Sequence, residues 1–207
     1  MTLDVTAVAV RGRWIKHTYP GSSPLPERDP PPDNRWQRGD VVDALYLADS
    51  EETAWAEWYR HLAERAIPPL AQMPRELWTW DVDVEVADLA TGARLEAVGL
   101  ALPAPSRGGW LDYQQIGEQL AREGWAGLIA PSAARPTGQV LCLFRDERGV
   151  SGAKPLPPHA ESPSRPHHQR GCEPRPELGK DRAAESEGRS CRTPNSRRSR
   201  RLLVCVP

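Results

Sequence analysis

Hydrophobic and polar positions follow two clear periods along this chain. Trp80, Val82, Val84 and Val86 stand between Thr79, Asp81, Asp83 and Glu85. A period of two predicts a strand with one buried and one wet face. Asp43-Ala44-Leu45-Tyr46-Leu47-Ala48 is a short apolar run carrying an aromatic and followed by Asp and Ser, which predicts a strand ending near Ala48. A helix start comes next. Asp49 with Glu52 has capping-box spacing, and Ser50 with Thr53 offers a second N-cap. Ala54, Trp58 and Leu62 then recur at i, i+4 with Trp55 beside them, giving one apolar stripe. At about 100° per residue, Glu57 falls at the margin of that stripe, where a carboxylate can look along a cleft while its helix packs on the core.

The flanking segments are read the same way. Thr6 to Val10 is a small apolar stretch suited to an edge strand, followed by Arg11-Gly12-Arg13-Trp14-Ile15-Lys16-His17. Residues 18–34 are turn-rich, with Pro30-Pro31-Pro32 held extended by fixed backbone angles; so long a loop is of the kind that borders sites. Pro68 and Pro69 stop the helix, Met73 to Trp78 connects, and Ala87 to Gly109 carries turn signals with a short Leu/Ala run. Tyr113 to Glu123 is amphipathic through Ile116 and Leu120, with Gly124 as its C-cap. Leu128-Ile129 predicts a buried strand, Pro131 to Pro136 a loop, and Val140 to Phe144 the last strand. These elements predict one α+β domain, a compact mixed or antiparallel sheet flanked by two helices, with a cleft between strand ends.

Composition divides the chain. All eight Trp, all four Tyr and the only Phe lie before residue 145. Residues 151–207 have no aromatic, nine of the 22 Pro, and 12 Lys and Arg against 6 Asp and Glu. The remainder holds 15 against 22, so the overall charge of −1 conceals an acidic body and a basic tail. The expected organisation is a domain over 1–149 and a disordered Pro/Arg/Ser-rich tail over 150–207, too poor in apolar surface to offset its chain entropy. Arg197-Arg198-Ser199-Arg200-Arg201 offers non-specific contact with nucleic acid at most. Cys142, Cys172, Cys191 and Cys205 show no metal or disulfide spacing. The N-terminus lacks the pattern of a signal peptide, and no run approaches the roughly 18 apolar residues of a membrane span. A cytoplasmic location without a metal is the default expectation.

Arg35-Trp36 with Gly39, Tyr46-Leu47-Ala48, Thr53-Ala54 with Glu57, and Pro131-Ser132 occur in that order. In this ordered set the chain resembles the RES-domain family over roughly residues 10 to 150. The resemblance implies a small mixed α/β enzyme related to ADP-ribosyltransferases. It further implies a toxin of a toxin–antitoxin pair that destroys NAD by hydrolysis or phosphorolysis. NAD is then the substrate, inorganic phosphate a possible co-substrate, and an antitoxin-like protein the partner. Transfer of ADP-ribose to a protein target, or a weakened domain serving only to bind a partner, are the alternative readings.

With NAD as the substrate, cleaving the nicotinamide–ribose bond develops positive charge on the ribose, as in glycoside hydrolysis. Glu57 is the carboxylate expected to stabilise it; a solvated helix glutamate is the plain alternative. Arg35 offers a planar fork to the pyrophosphate, or is a surface arginine beside Arg38. Trp36 reads first as core and second as a platform under the adenine. Tyr46 either faces nicotinamide and ribose or is a buried tyrosine with a satisfied hydroxyl. Ser132 can bond a carboxamide or phosphate, or is turn chemistry after Pro131; no G-x-S-x-G surrounds it, so it is not read as a nucleophile. Arg135 offers a second phosphate contact or a surface role. Where the resemblance implies an N-terminal arginine next to an aromatic, this chain has Lys16-His17. A point charge replaces a fork there, and His17 is a phosphate ligand or an exposed loop residue.

Overall fold

The computed structural model describes residues 2–147 and 149–156. Its strands are β1 (Ala7–Thr18), β2 (Ala44–Ala48), β3 (Glu76–Asp88), β4 (Gly127–Pro131), β5 (Gln139–Asp146), β6 (Gly149–Val150) and β7 (Ala153–Leu156). The helices are α1 (Glu51–Ala63), α2 (Gly92–Ala97) and α3 (Trp110–Arg122), with a 3-10 turn at Pro69–Gln72. The chain divides into a unit of residues 1–164 and a second of 165–207, and every described residue belongs to the first. No described helix is long and apolar enough to cross a membrane.

The sheet closes on itself. Its path runs β1-β2-β5-β4-β3, and β1 also pairs with β3 along its whole length, from Ala7 opposite Ala87 to Thr18 opposite Glu76. Every pairing is antiparallel except β3 with β4, where Ala87 and Asp88 face Leu128 and Ile129. Closure leaves an inside and an outside, and period-two alternation sorts the side chains between them. Val10, Trp14, Leu45, Leu47, Trp80, Val82, Val86, Ile129, Leu141 and Leu143 fill the inside. Their strand neighbours Leu128, Ala130 and Cys142 point outward and join Leu95, Leu120, Tyr113 and Trp36 in a second core under α2 and α3. The expected mixed sheet with flanking helices is present.

Several boundaries differ from the expectation. β1 runs eight residues past Val10, because full-length pairing with β3 holds a stretch whose Arg and Gly interrupt any apolar alternation. Lys16 and His17 therefore sit on a strand. α1 stops at Ala63, before Pro68: Glu64 caps it and Ala66 takes a left-handed φ of 53°. The Leu/Ala run contains a short helix, α2, capped by Thr91 Oγ1 on Arg94 N. Val150 to Leu156, assigned by composition to the start of the tail, instead complete β6 on β5 and add β7 to β3, with Ala153 buried opposite Val82. The rest of the expected tail, 157–207, lies outside the described residues.

One glycine sets the distance between α3 and the Arg35 segment. A Cβ on Gly117 would stand 2.0 Å from Trp36 O, so only glycine allows the backbones this close. Gln114 Nε2 then donates to Asn34 O at 2.9 Å and Gln37 O at 3.2 Å. Arg38 grips Glu118 with two hydrogen bonds of 2.6 and 2.8 Å, which hold the Glu118 carboxyl below the usual range. Residues 34–38, a tight turn closed by the Asn34–Gln37 bridge, are thus fixed against α3.

Candidate functional site

α1 begins where the sequence offers its second cap: Ser50 Oγ accepts from Thr53 N at 3.2 Å. Asp49 takes another job and accepts from Gln139 N on β5 at 2.8 Å. The buried stripe is Thr53, Ala54, Trp58 and Leu62, which leaves Glu57 at its margin over the strand ends. The loop after β4 closes on this carboxylate. Glu57 Oε1 accepts from Ser132 Oγ at 2.5 Å, Ala133 N at 2.9 Å and Ala134 N at 3.3 Å. Glu57 Oε2 accepts from Arg60 Nε at 2.9 Å, one turn along the helix, and Arg60 also grips Glu64 at 2.5 Å. One oxygen is therefore bound to the loop after β4 and the other to a side chain of its own helix.

Ser132 is 6% exposed, and its oxygen in turn accepts from Ala134 N and Arg135 N at 3.1 and 3.0 Å. The hydroxyl that the sequence offers to substrate donates here to Glu57. Arg135 reaches back to Ser50 Oγ at 3.3 Å and Thr53 Oγ1 at 3.1 Å, so it pins the loop to the start of α1. Both residues support the carboxylate from behind.

In front of Glu57 lies a cleft of about 420 Å³, within the usual size of small-molecule sites. Lys16, His17, Arg35, Trp36 and Tyr46 line it with Glu57, while Pro131 and Ala133 represent the Ser132 loop. Arg35 is 8% exposed, lies over the Tyr113 ring at 5.2 Å, and donates to Ala104 O at 2.7 Å. Burial, and Arg60 nearby, push its guanidinium down from the ordinary arginine value, while Glu57 is close enough to pull the other way. Trp36 is 1% exposed and packs edge-on to Tyr113 at 5.1 Å, which makes it core first. Tyr46 Oη accepts from Trp36 N at 3.1 Å, so the phenol braces the Arg35 segment; burial pushes its pKa up.

His17 does not lie exposed in a loop. Its ring stacks on Trp55 at 5.7 Å, and Nδ1 accepts from Arg75 Nη2 at 3.0 Å, which places the ring proton on Nε2. Burial, followed by Arg75 and Lys16, drives its pKa down to about 3, so it is a neutral ring. Burial, then Arg28 and Arg145, lower Lys16 to about 8.

Sequence reasoning missed much of the positive wall. Arg28, Arg60, Arg65 and Arg75 join Lys16 and Arg35 around the cleft, and among the described residues Glu57 is its one acidic wall. Arg60 had a signal, since it stands at i+3 from Glu57 and i−4 from Glu64. Arg75 had none, because it meets His17 and the Tyr19 ring only through strand pairing across 58 positions. Six cations against one carboxylate make a small-ligand cleft that favours an anionic guest. Among the described residues no three His, Cys, Asp or Glu are grouped to hold a metal ion.

A mixed closed sheet with a carboxylate set at its strand ends defines the class as a small mixed α/β domain. The RES-domain model matches residues 8–164, and the chain belongs to the RES-domain family. Among solved structures it is similar to a chain from the crystal structure of the M. tuberculosis MbcT–MbcA toxin–antitoxin complex, with a TM-score of 0.59. The two are 22% identical, over 72% of this chain and 86% of that one, a likeness of fold. No curated protein matches the chain.

Proposed function

We propose that this domain consumes NAD by cleaving its nicotinamide–ribose bond, as the toxin of a toxin–antitoxin pair. The observation that carries the reading is the fixed orientation of Glu57, a residue lining the cleft: Oε1 is held by three donors from the Ser132 turn, and Oε2 accepts from Arg60 Nε. In this reading Oε2 faces the ribose. As the C1′–N bond lengthens, the electron pair leaves with nicotinamide and the ribose acquires oxocarbenium character, which the carboxylate stabilises. A rigidly placed charge does this without reorganising as the reaction proceeds.

The arginines supply the grip. The pyrophosphate seats against Arg35 with Arg60 and Arg75 in reach, so the lysine at position 16 does not stand alone in place of an arginine fork. Tyr46 and Trp36 fix the Arg35 segment, and His17 on Trp55 provides a flat neutral wall. Water, or inorganic phosphate, then attacks C1′ and releases its proton to solvent, which completes the exchange. Kinship with ADP-ribosyltransferases, which the family resemblance implies, is compatible with a mixed sheet opening into such a cleft. An antitoxin-like protein partner is part of the same reading, supported by the toxin–antitoxin complex to which the fold is similar.

The test is nicotinamide release from NAD by the purified protein, with and without phosphate. Wild type is expected to release it, and Glu57→Gln to be slower by about 100-fold or more. No release from folded wild type under either condition overturns the reading.

A further inference from the structure

Between α2 and α3 the chain runs beside Arg35 as a strap, residues 101–109, and every residue of it except Pro103 is exposed. Pro103 and Pro105 stiffen its middle, and Gly108-Gly109 ends it with a pair of residues free to turn. Of its own backbone N–H groups only Ser106 N has a partner among the described residues, Ala104 O at 2.7 Å. The strap is held instead by side chains from outside it. Tyr113 Oη donates to Ala101 O at 3.0 Å, and Arg35 Nη2 donates to Ala104 O at 2.7 Å and Ser106 O at 3.5 Å. A segment with so few bonds of its own belongs to the low-stability end of a fold, from which ligand-binding loops are drawn.

Arg35 works on two sides. Its Nη2 is taken by the strap, whereas Nε and Nη1 have no partner among the described residues, and the side chain lines the cleft. An anion on those free donors fixes the guanidinium, and a fixed guanidinium holds the strap carbonyls, so ligand and strap tighten together. Arg107 stands near the other end of the strap. Its guanidinium rests 4.7 Å over the Trp110 ring and forms no ion pair or side-chain hydrogen bond with a described residue. Trp110 lines the cleft, and its buried indole N–H has no partner among the described residues. After burial, Arg65 and Arg60, Arg107 also helps to disfavour a proton on His61, another side chain of the cleft wall. An exposed cation–π contact is weak and gives way readily to a phosphate oxygen. With the cleft empty, Arg35, Arg60 and Arg65 repel Arg107; with an anion between them that force reverses.

We propose that residues 101–109 are a closing strap, latched by Arg35, which folds down on a diphosphate-bearing ligand and brings the Arg107 guanidinium from the Trp110 ring to it. That the ligand carries a diphosphate rests on the NAD reading; the closure itself is a binding event and needs no turnover. A turn at Gly108-Gly109 moves Arg107 while α3 stays in place, because Gly117 packs that helix directly on the Trp36 backbone.

The experiment is limited trypsin digestion of the full chain with ADP-ribose, with adenosine and with neither, reading the cut after Arg107 by mass spectrometry. ADP-ribose carries the diphosphate but no nicotinamide to lose. Closure predicts that saturating ADP-ribose slows this cut at least about fivefold and that adenosine does not. Arg35→Lys keeps the charge and loses the bridge, so its Arg107 cut should stay fast at ADP-ribose concentrations that saturate the variant. Arg107→Ala should bind ADP-ribose at least about fivefold more weakly by calorimetry, while Arg11→Ala, at an exposed site paired with Asp83, controls for net charge. If Arg35→Lys does not fold, the wild-type digestion and the Arg107→Ala titration decide alone. Equal cutting with and without ADP-ribose, protection that survives in Arg35→Lys, or wild-type affinity in Arg107→Ala overturns the strap. Failure of ADP-ribose to bind at all overturns it together with the dinucleotide reading. Nicotinamide release from NAD without protection of Arg107 sinks the strap alone, and protection without release sinks only the cleavage reaction.

Discussion

Ser132 Oγ donates to Glu57 Oε1 at 2.5 Å, joining residues 75 positions apart in the chain. The pairing gives the serine a part that residue types alone do not suggest: it holds the carboxylate. Removing a hydrogen bond to a charged group costs about 1.5–3 kcal/mol, or about 10- to 100-fold in rate when the group acts in the transition state. Ser132→Ala is therefore expected to lower kcat for nicotinamide release by that factor with KM within about twofold of wild type. A KM effect with unchanged kcat, measured by initial rates over a range of NAD concentrations, would return Ser132 to substrate binding.

Gly117 offers a test of how α3 supports the site. A Cβ there would meet Trp36 O at 2.0 Å and Trp36 C at 2.9 Å, backbone atoms that cannot rotate away. Gly117→Ala is expected to destabilise the fold by about 1–3 kcal/mol, the usual cost of overpacking. It also pushes the Arg35 segment off its seat, so KM for NAD should rise. Urea denaturation together with steady-state kinetics separates the two effects; an unchanged midpoint and KM would show that the segment gives way freely.

The segment from Asp43 to Ala63 was legible because its signals are local. An apolar run, a Ser cap and an i, i+4 stripe fixed β2, α1 and the marginal place of Glu57 before any tertiary contact was known. The partners of Glu57 were not legible in the same way. Ser132 stood out only through family resemblance, and its role depends on a turn geometry that residue types do not specify. The Arg75–His17 contact arises from the register of β1 on β3, which no local pattern encodes. Composition placed the domain end too early for a related reason. Ala153-Lys154-Pro155-Leu156 has little apolar content, but an edge strand is held by backbone pairing with β3 and tolerates a proline.

The position of the domain end is itself testable. β7 covers the Thr79–Val82 edge of β3 and buries Ala153 in the inner core. A chain ending at Val150 exposes that edge and should unfold at lower temperature or aggregate. A chain ending at Ser164 keeps all described strands and, on the proposal that the remaining residues are an appendage, should melt within a few degrees of the full chain. Thermal denaturation of the two truncations beside the full chain decides it. Equal loss in both would show that residues beyond 164 stabilise the domain.

The stacked pair of His17 and Trp55 predicts an acid-sensitive fold. Burial and the Arg75 guanidinium lower His17 to about 3 from 6.5, and burial with Arg65 and Arg60 lowers His61 to about 4. In both cases the unfolded chain binds a proton at higher pH than the folded one does. Stability from the neutral rings is therefore present above about pH 6.5 and is lost as pH falls through the folded values. At pH 5 the cost assignable to His17 is about 1–2 kcal/mol, since its ring is only partly shielded from water. Replacing the ring with a neutral side chain removes that term, so His17→Gln should be less stable than wild type at pH 7.5, where the stack is lost, yet show a shallower decline towards pH 4. Denaturant unfolding at pH 7.5, 6, 5 and 4 measures both slopes. Parallel slopes for the two proteins would mean that His17 takes up its proton in the folded state as readily as in the unfolded chain.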